Sequence, residues 1–227
     1  RLLVCSSTYR MSSELDPKSS RLDPQERLLW RWRHRRLDAE VVRDGVLAAS
    51  GGLNRKMAGP SIYPVLPKSV LAGQSRPGSG WGKSDQWEQA RRSVYIFSKR
   101  SLAVPELDLL DAPNTTDSCE QRPVSTTGPQ ALTFLNGDFM HLSARRMAER
   151  LAIEAGTTAE AQVSQAFRLT VCRAPDSDEL AASLSFLDSQ VQLHKNSTAS
   201  TGTTIQQRAL AALCLVLLNT SEFVYTR

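Results

Sequence analysis

The stretch DFMHLSARRMAERLAIEAGTTAEAQVSQAFRLTVCRAPDSDEL, Asp138 to Leu180, decides the fold class. Asp138 suits the cap of a helix. Met140, Ala144, Met147 and Leu151 then follow at steps of four, three and four, which lines one helical face. Thr157 with Glu160 has the form of a capping box ahead of Val163, Ala166, Phe167, Thr170 and Val171. Asp176 with Glu179 repeats that form ahead of Leu180, Leu184, Leu187 and Val191. A run of successive helices is therefore predicted.

Working outward, Pro129 to Asn136 predicts a further helix, which Asn136-Gly137 interrupts. On the other side the Ser/Thr-rich run NSTASTGTT, 196–204, precedes a last helix from about Ile205 to Leu218. Its apolar part, ALAALCLVLL from Ala209, is about half the roughly 20 residues that a membrane-spanning helix requires. It reads as a buried helix, and no longer apolar run occurs.

The first half is less regular. DPQERLLWRW, Asp23 to Trp32, predicts a short helix with Asp23 as N-cap and Pro24 in the first position. Ala39, Val42, Val46 and Ala49 share a face of a second, from Leu37 to Ser50, which Gly51-Gly52 ends. Gly59 to Asp85 is rich in Pro, Gly and Ser and predicts a long irregular loop. Loops of that length are uncommon within a compact unit and often functional. RRSVYIFSKRS, Arg91 to Ser101, suits a strand by its β-branched and aromatic content, and a helix nearly as well. The expected fold class is mainly α: a single irregular helical domain over residues 1–227, with the loop at 59–85 and little or no strand.

Composition agrees with that picture. Hydrophobic residues at 41% and charged residues at 22% are ordinary for a soluble globular chain. Aromatics at 6% leave most of the core to aliphatic side chains. A net charge of +5 permits weak attraction to polyanions without specifying a task. Cys5, Cys119, Cys172 and Cys214 make neither CxxC nor CxxCH, so neither a paired-cysteine zinc site nor a c-type haem attachment is expected here. One or two disulfides and buried free thiols both remain open. His34, His141 and His194 show no ligand spacing, so no metal site is expected. No GxSxG elbow is present. GSGWGKS, Gly78 to Ser84, has Pro77 where a phosphate loop needs its first glycine. Asn114, Asn196 and Asn219 match N-x-S/T, a pattern that a Ser/Thr-rich chain produces readily.

RWRHRR, Arg31 to Arg36, packs arginines beside Trp30 and Trp32, the makings of a polyanion site. The competing reading is intramolecular pairing. Arg36 stands four residues before Glu40, and Glu40 three before Arg43, the spacings at which helical neighbours pair. Pairing is expected first and an anion site second. Arg91-Arg92 and Lys99-Arg100 form another basic group around Tyr95, with Glu88, Glu106 and Asp108 nearby to neutralise it. Arginine forks also suit carboxylate or sulfate. The candidate anion- or partner-binding residues are therefore Arg36, Arg43, Arg91, Arg92, Tyr95, Arg100 and Arg122. No residue is marked out as catalytic.

Several phrases taken in order carry a family resemblance: STYRMSS (7–13), DPQERLLWR, RRLDAEVVRDGVLAASGGL, AGPSIYP (58–64), RRSVYIFSKRS, TTDSCEQRPVSTTGPQALTFLN (115–136) and NTSEFVYTR. The chain resembles the planctomycete PSD-one domain, a domain of unknown function, essentially from end to end. Tyr9, Arg10, Arg36, Asp38, Glu40, Arg43, Asp44, Arg91, Arg92, Tyr95, Arg100, Cys119, Arg122, Gln130 and Phe223 match its pattern. Met11 and Gly45 depart from it where Gln and Ala are common.

The resemblance implies context and carries no established catalytic residues. It implies the C-terminal part of a large secreted bacterial protein, in keeping with a start, RLLVC, that lacks Met and lies inside an apolar pattern. It also implies an upstream helical domain and a cytochrome c domain carrying CxxCH. On that implication the chain is extracytoplasmic and carries no cofactor itself, the c-type haem belonging to an upstream domain. Its partners would be the upstream domains, an extracellular polysaccharide or a redox partner. Three functions are expected in this order: a helical accessory or interaction module, part of an extracellular carbohydrate-active enzyme completed by the upstream domain, and a nucleic-acid binder. The last has no recognised reading element behind it.

Overall fold

The helical periodicity of the C-terminal half is realised almost residue for residue. The structure is a computed structural model and describes residues 1–73, 76, 78–195 and 204–226. In chain order the N-terminal part holds α1 (Leu2–Cys5), α2 (Pro17–Leu22), strand β1 (Arg35–Arg36) and α3 (Ala39–Ala49). Short helices follow: α4 (Lys68–Ala72), α5 (Gln86–Gln89), a 3-10 turn at Ser93–Tyr95, and α6 (Pro105–Asp108). The long helices come next: α7 (Gly128–Asn136), α8 (Asp138–Glu154), α9 (Ala159–Val171), α10 (Ser177–Lys195) and α11 (Ile205–Leu218). α12 (Ser221–Val224) and β2 (Tyr225–Thr226) complete the described elements. The fold is mainly α, with β1 and β2 antiparallel, Arg35 opposite Thr226 and Arg36 opposite Tyr225.

α11 is the hub. Ala209, Leu210, Leu213, Cys214, Leu217 and Leu218 are all buried, because α8, α10 and α9 all pack against it. Met140, Ala144, Met147 and Leu151 of α8 meet Val163, Ala166 and Phe167 of α9 in the same cluster. Val46 and Ala49 of α3 join it, and Val42 and Ala39 carry the helix on into a second cluster with Leu110 and Val224. Arg150 of α8 donates from Nη1 to the carbonyls of Ala48 and Ala49, each at 3.0 Å. It thereby satisfies carbonyls that the end of α3 leaves without intrahelical donors. Gly51 beyond them takes φ +75°, where an added Cβ would lie 3.1 Å from Arg150 Cδ.

Several sequence expectations need correction. Asp23–Trp32 is not a helix. The Asp-Pro start is used one step earlier, where Asp16 accepts from the amides of Lys18 and Ser19 and Pro17 opens α2. Asp23 instead follows the end of α2, and its carboxylate accepts from the Leu28 amide at 2.7 Å, across turns in which Glu26 and Leu29 have positive φ. Gly137, not Asp138, caps α8. Thr158, not Thr157, caps α9, without a side-chain bond. The Asp176–Glu179 box does form: Asp176 accepts from the Glu179 amide at 2.8 Å and Glu179 from the Asp176 amide at 2.9 Å. Arg91–Ser101 is neither strand nor helix but a 3-10 turn flanked by single bridges, Asn54 to Arg91 and Ile62 to Ile96. The 59–85 loop contains α4 and anchors itself through Tyr63 and Trp81, which pack on Phe97. Residues 196–203, with Asn196 and most of the Ser/Thr-rich break, and Pro77 lie outside the described residues.

Candidate functional site

The family-type arginines divide by burial. Arg91 has no exposed surface. It donates to the carbonyls of Lys56, Ala58 and Pro60, pairs with Glu88 at 3.3 Å, and lies 3.9 Å from the centre of the Tyr95 ring. Tyr95 Oη accepts from the Ala58 amide at 2.8 Å, so the two side chains clamp the bent run 56–60, in which Ala58 and Gly59 have positive φ, between them. Arg43 on α3 donates to the Gln89 carbonyl at 2.7 Å, and to the Arg91 carbonyl and Ser93 Oγ at 3.1 Å each. Burial pulls its pKa below the ordinary arginine value. Asp44, one residue on, accepts from both the amide and Oγ of Ser93. Arg36 pairs with Asp111 at 2.6 Å and donates to the Leu110 and Ser125 carbonyls.

These bonds replace the pairs expected from spacing. Arg36 does not meet Glu40, because it sits in β1 rather than on α3, and Glu40 does not meet Arg43. Glu40 instead accepts a two-pronged bond from Arg122, at 2.7 and 3.1 Å. Burial alone would raise the Glu40 carboxyl, but the Arg122 bonds outweigh it and the pKa is lowered. Asp111 follows the same logic: burial raises it, while the Ser125 amide and Arg36 bring it below the ordinary value. Arg31 and Arg33 both pair with Glu26.

Between α3 and the 92–122 segment these fixed elements leave a cleft of about 520 Å³. One wall is α3, with Asp38, Glu40, Val41 and Asp44; the facing wall carries Arg92, Val94, Ile96, Ser98 and Lys99. Leu102, Val104 and Leu107 contribute an apolar floor, and Asp108, Thr115 and Arg122 edge it. Arg92 and Asp108 are exposed, and their side chains make no hydrogen bond or ion pair with a described residue. Val41 is 49% and Val94 71% exposed, large aliphatic side chains facing solvent at the rims. A narrower apolar cavity of about 310 Å³ lies on the other side of α3, under Phe134, Phe139 and Met140.

Of the seven residues expected to form a surface, Arg36, Arg43 and Arg91 are enclosed and Tyr95 is stacked on Arg91. Arg92 and Arg122 reach the same cleft, while Arg100 is exposed outside its lining. Val41 and Val94 carry no expectation from the sequence, while Asp108, expected to neutralise the Arg91–Arg100 group, does not pair with it; of those acids Glu88 does, with Arg91. Val41 leaves a trace, since it is apolar but off the face defined by Ala39, Val42, Val46 and Ala49. The three phrases RRLDAEVVRDG, RRSVYIFSKRS and TTDSCEQRPV converge here, each supplying a wall or edge.

The cysteines are free thiols, with Cys5, Cys119 and Cys172 exposed and Cys214 buried. Burial pushes the Cys214 pKa up to about 12. Among the described residues no group of three or more His, Cys, Asp or Glu stands together as a metal site, and no helix is long and apolar enough to cross a membrane. The family described as PSD1, protein of unknown function (DUF1553), matches residues 1–187. No curated protein and no solved structure matches the chain.

Proposed function

The chain belongs to the PSD1 family of proteins of unknown function, and on that premise we propose that it is an accessory interaction module that docks another polypeptide in the α3 cleft. The carrying observation is the convergence of three signature phrases on one cleft whose floor is apolar and whose edges are charged. That is the anatomy of a protein interface, an apolar centre inside a polar rim. The enclosed arginines support the reading from behind. Arg43 ties the 89–93 segment to α3, Arg91 ties 56–60 to that segment, and Arg36 ties β1 to Leu110 and Ser125. Both walls are thus held before a partner arrives, which lowers the ordering cost of association. The family resemblance supplies the setting: a secreted, multidomain bacterial protein linked to a c-type cytochrome domain, with an upstream domain or a redox partner as the docked protein.

A second reading is favoured by one specific observation. Asp38, Glu40, Asp44 and Asp108 border the same cleft as Arg92, and carboxylates opposed across a groove are what glycoside hydrolysis needs. In that case an extracellular polysaccharide occupies the cleft and the upstream domain completes the site.

The test uses the complete reading frame, expressed for export. A haem absorption spectrum is expected from the upstream part, and its absence removes the cytochrome link. The upstream region, produced separately, is expected to bind this chain. Val41→Glu and Arg92→Glu are expected to weaken that binding at least tenfold with circular dichroism unchanged. Binding that ignores both variants overturns the cleft as the docking surface, and turnover of a polysaccharide lost in Asp108→Asn establishes the second reading in its place.

A further inference from the structure

The cleft wall at Ile96–Ser98 begins at a single bridge and carries main-chain groups that no described residue uses. Ile62 pairs with Ile96 in parallel: its amide donates to the Tyr95 carbonyl at 2.8 Å, and its carbonyl accepts from the Phe97 amide at 2.9 Å. In an extended chain successive residues present their amide and carbonyl to opposite edges. With Tyr95 and Phe97 bonded toward Ile62, this alternation turns the Ile96 carbonyl to the other edge, and an extended course continued through Ser98 brings the Ser98 amide and carbonyl to it as well. No described residue bonds to any of these groups, although Ile96 is extended, with φ −63° and ψ 131°. Ile96 and Ser98 both line the cleft, above the floor formed by Leu102, Val104 and Leu107.

We infer that the cleft takes an extended peptide segment of the partner, added as a strand along Ile96–Ser98. The inference rests on the docking reading above and deepens it by naming the mode of recognition. Strand addition draws affinity from main-chain hydrogen bonds and specificity from pockets for alternate side chains. The apolar floor and the exposed Val41 and Val94 accept aliphatic residues at alternate positions. Glu40 and Arg122 satisfy one another, Arg122 also lies 3.8 Å from Asp38, Asp44 is held by Ser93 and Arg43, and Lys99 donates to the Ser79 carbonyl. That leaves the Arg92 and Asp108 side chains without a partner among the described residues. The segment therefore carries an acidic residue toward Arg92 and a basic residue toward Asp108. A sugar chain offers hydroxyls and, in N-acetylated units, isolated amides, but no amide and carbonyl alternating along one edge at the strand repeat of about 3.3 Å, which favours peptide over polysaccharide.

The experiment selects phage-displayed heptapeptides, with Glu and Lys at opposite ends and a centre randomised over Val, Ile, Leu, Thr and Ser, against the folded chain. Selected peptides are then synthesised and their binding is measured by fluorescence polarisation. Binders are expected, and Ser98→Pro, which deletes one donor, is expected to weaken them at least tenfold while Ser98→Ala, which keeps it, leaves them unchanged. Methylating peptide amides one at a time is expected to hurt at alternate positions only. Should Ser98→Pro disturb the fold, the methylation scan decides alone, since it leaves the protein untouched. Selection of no Arg92-dependent binder, or binders indifferent to amide methylation, overturns strand addition. Upstream-domain binding that survives Ser98→Pro yet fails in Val41→Glu overturns it while sparing the docking reading. Alginate or heparin competing for the cleft while peptides do not hands the site to polysaccharide.

Discussion

At the residue scale, the pair Arg91-Arg92 separates two uses of the same side chain. Arg91 holds three carbonyls, Glu88 and the face of Tyr95. Arg91→Ala leaves buried acceptors without donors and is expected to cost about 3–5 kcal/mol. Arg91→Lys recovers little, because an ammonium lacks the planar fork that spans several acceptors. Arg92→Ala, at an exposed position, is expected to change stability by less than about 0.5 kcal/mol. Urea unfolding of the three variants checks this, and equal losses at both positions would contradict it. The thiols offer a second measurement. With Ellman's reagent Cys5, Cys119 and Cys172 are expected to react in the native protein, and Cys214, enclosed in the helical core, only after unfolding.

At the scale of elements, the helices of the second half were legible because their apolar positions follow a period that packing then uses. Met147 illustrates it: placed on a face by spacing alone, it has no exposed surface and lies in the cluster formed with α11. Met147→Ala is expected to cost about 2–5 kcal/mol, read as a fall in the thermal midpoint, whereas Leu193→Ala on an exposed part of α10 is expected to be nearly silent. The first half was less legible for a physical reason. Its structure is held by side chains reaching across long sequence separations to backbone carbonyls, as Arg43 does to Gln89 and Arg36 to Leu110, and local spacing carries no record of such partners. That is why pairing was expected for Arg36 and Glu40 and occurs, but with Asp111 and Arg122. The cleft could be approached only through the phrases that border it, since Val94 carries no mark of its own and Asp108 only that of an acid near the Arg91–Arg100 group.

At the scale of the whole molecule, the ion pairs that join distant segments share one electrostatic direction. Glu40, Asp111 and Glu88 all have folded-state pKa values below their ordinary ones. Their contribution is complete above the unfolded-state carboxylate range of about 4 and is lost as pH falls through the lowered values. The thermal midpoint is therefore expected to stay level between about pH 7 and 5 and to drop below about pH 4. Asp111→Asn should lower stability at neutral pH and make that acid limb shallower. A midpoint that rises on acidification would refute the assignment.

The small ladder between β1 and β2 sets a clock on biosynthesis. Arg35 and Thr226, joined in it, are 191 positions apart. At about 5–20 residues per second the ribosome delivers the second roughly 10 to 40 s after the first. Asp111 emerges well before β2 exists, so the Arg36–Asp111 pair is available to hold β1 before the ladder can form. A released chain that ends before Tyr225 would thus carry the helical core and an arm still open to protease.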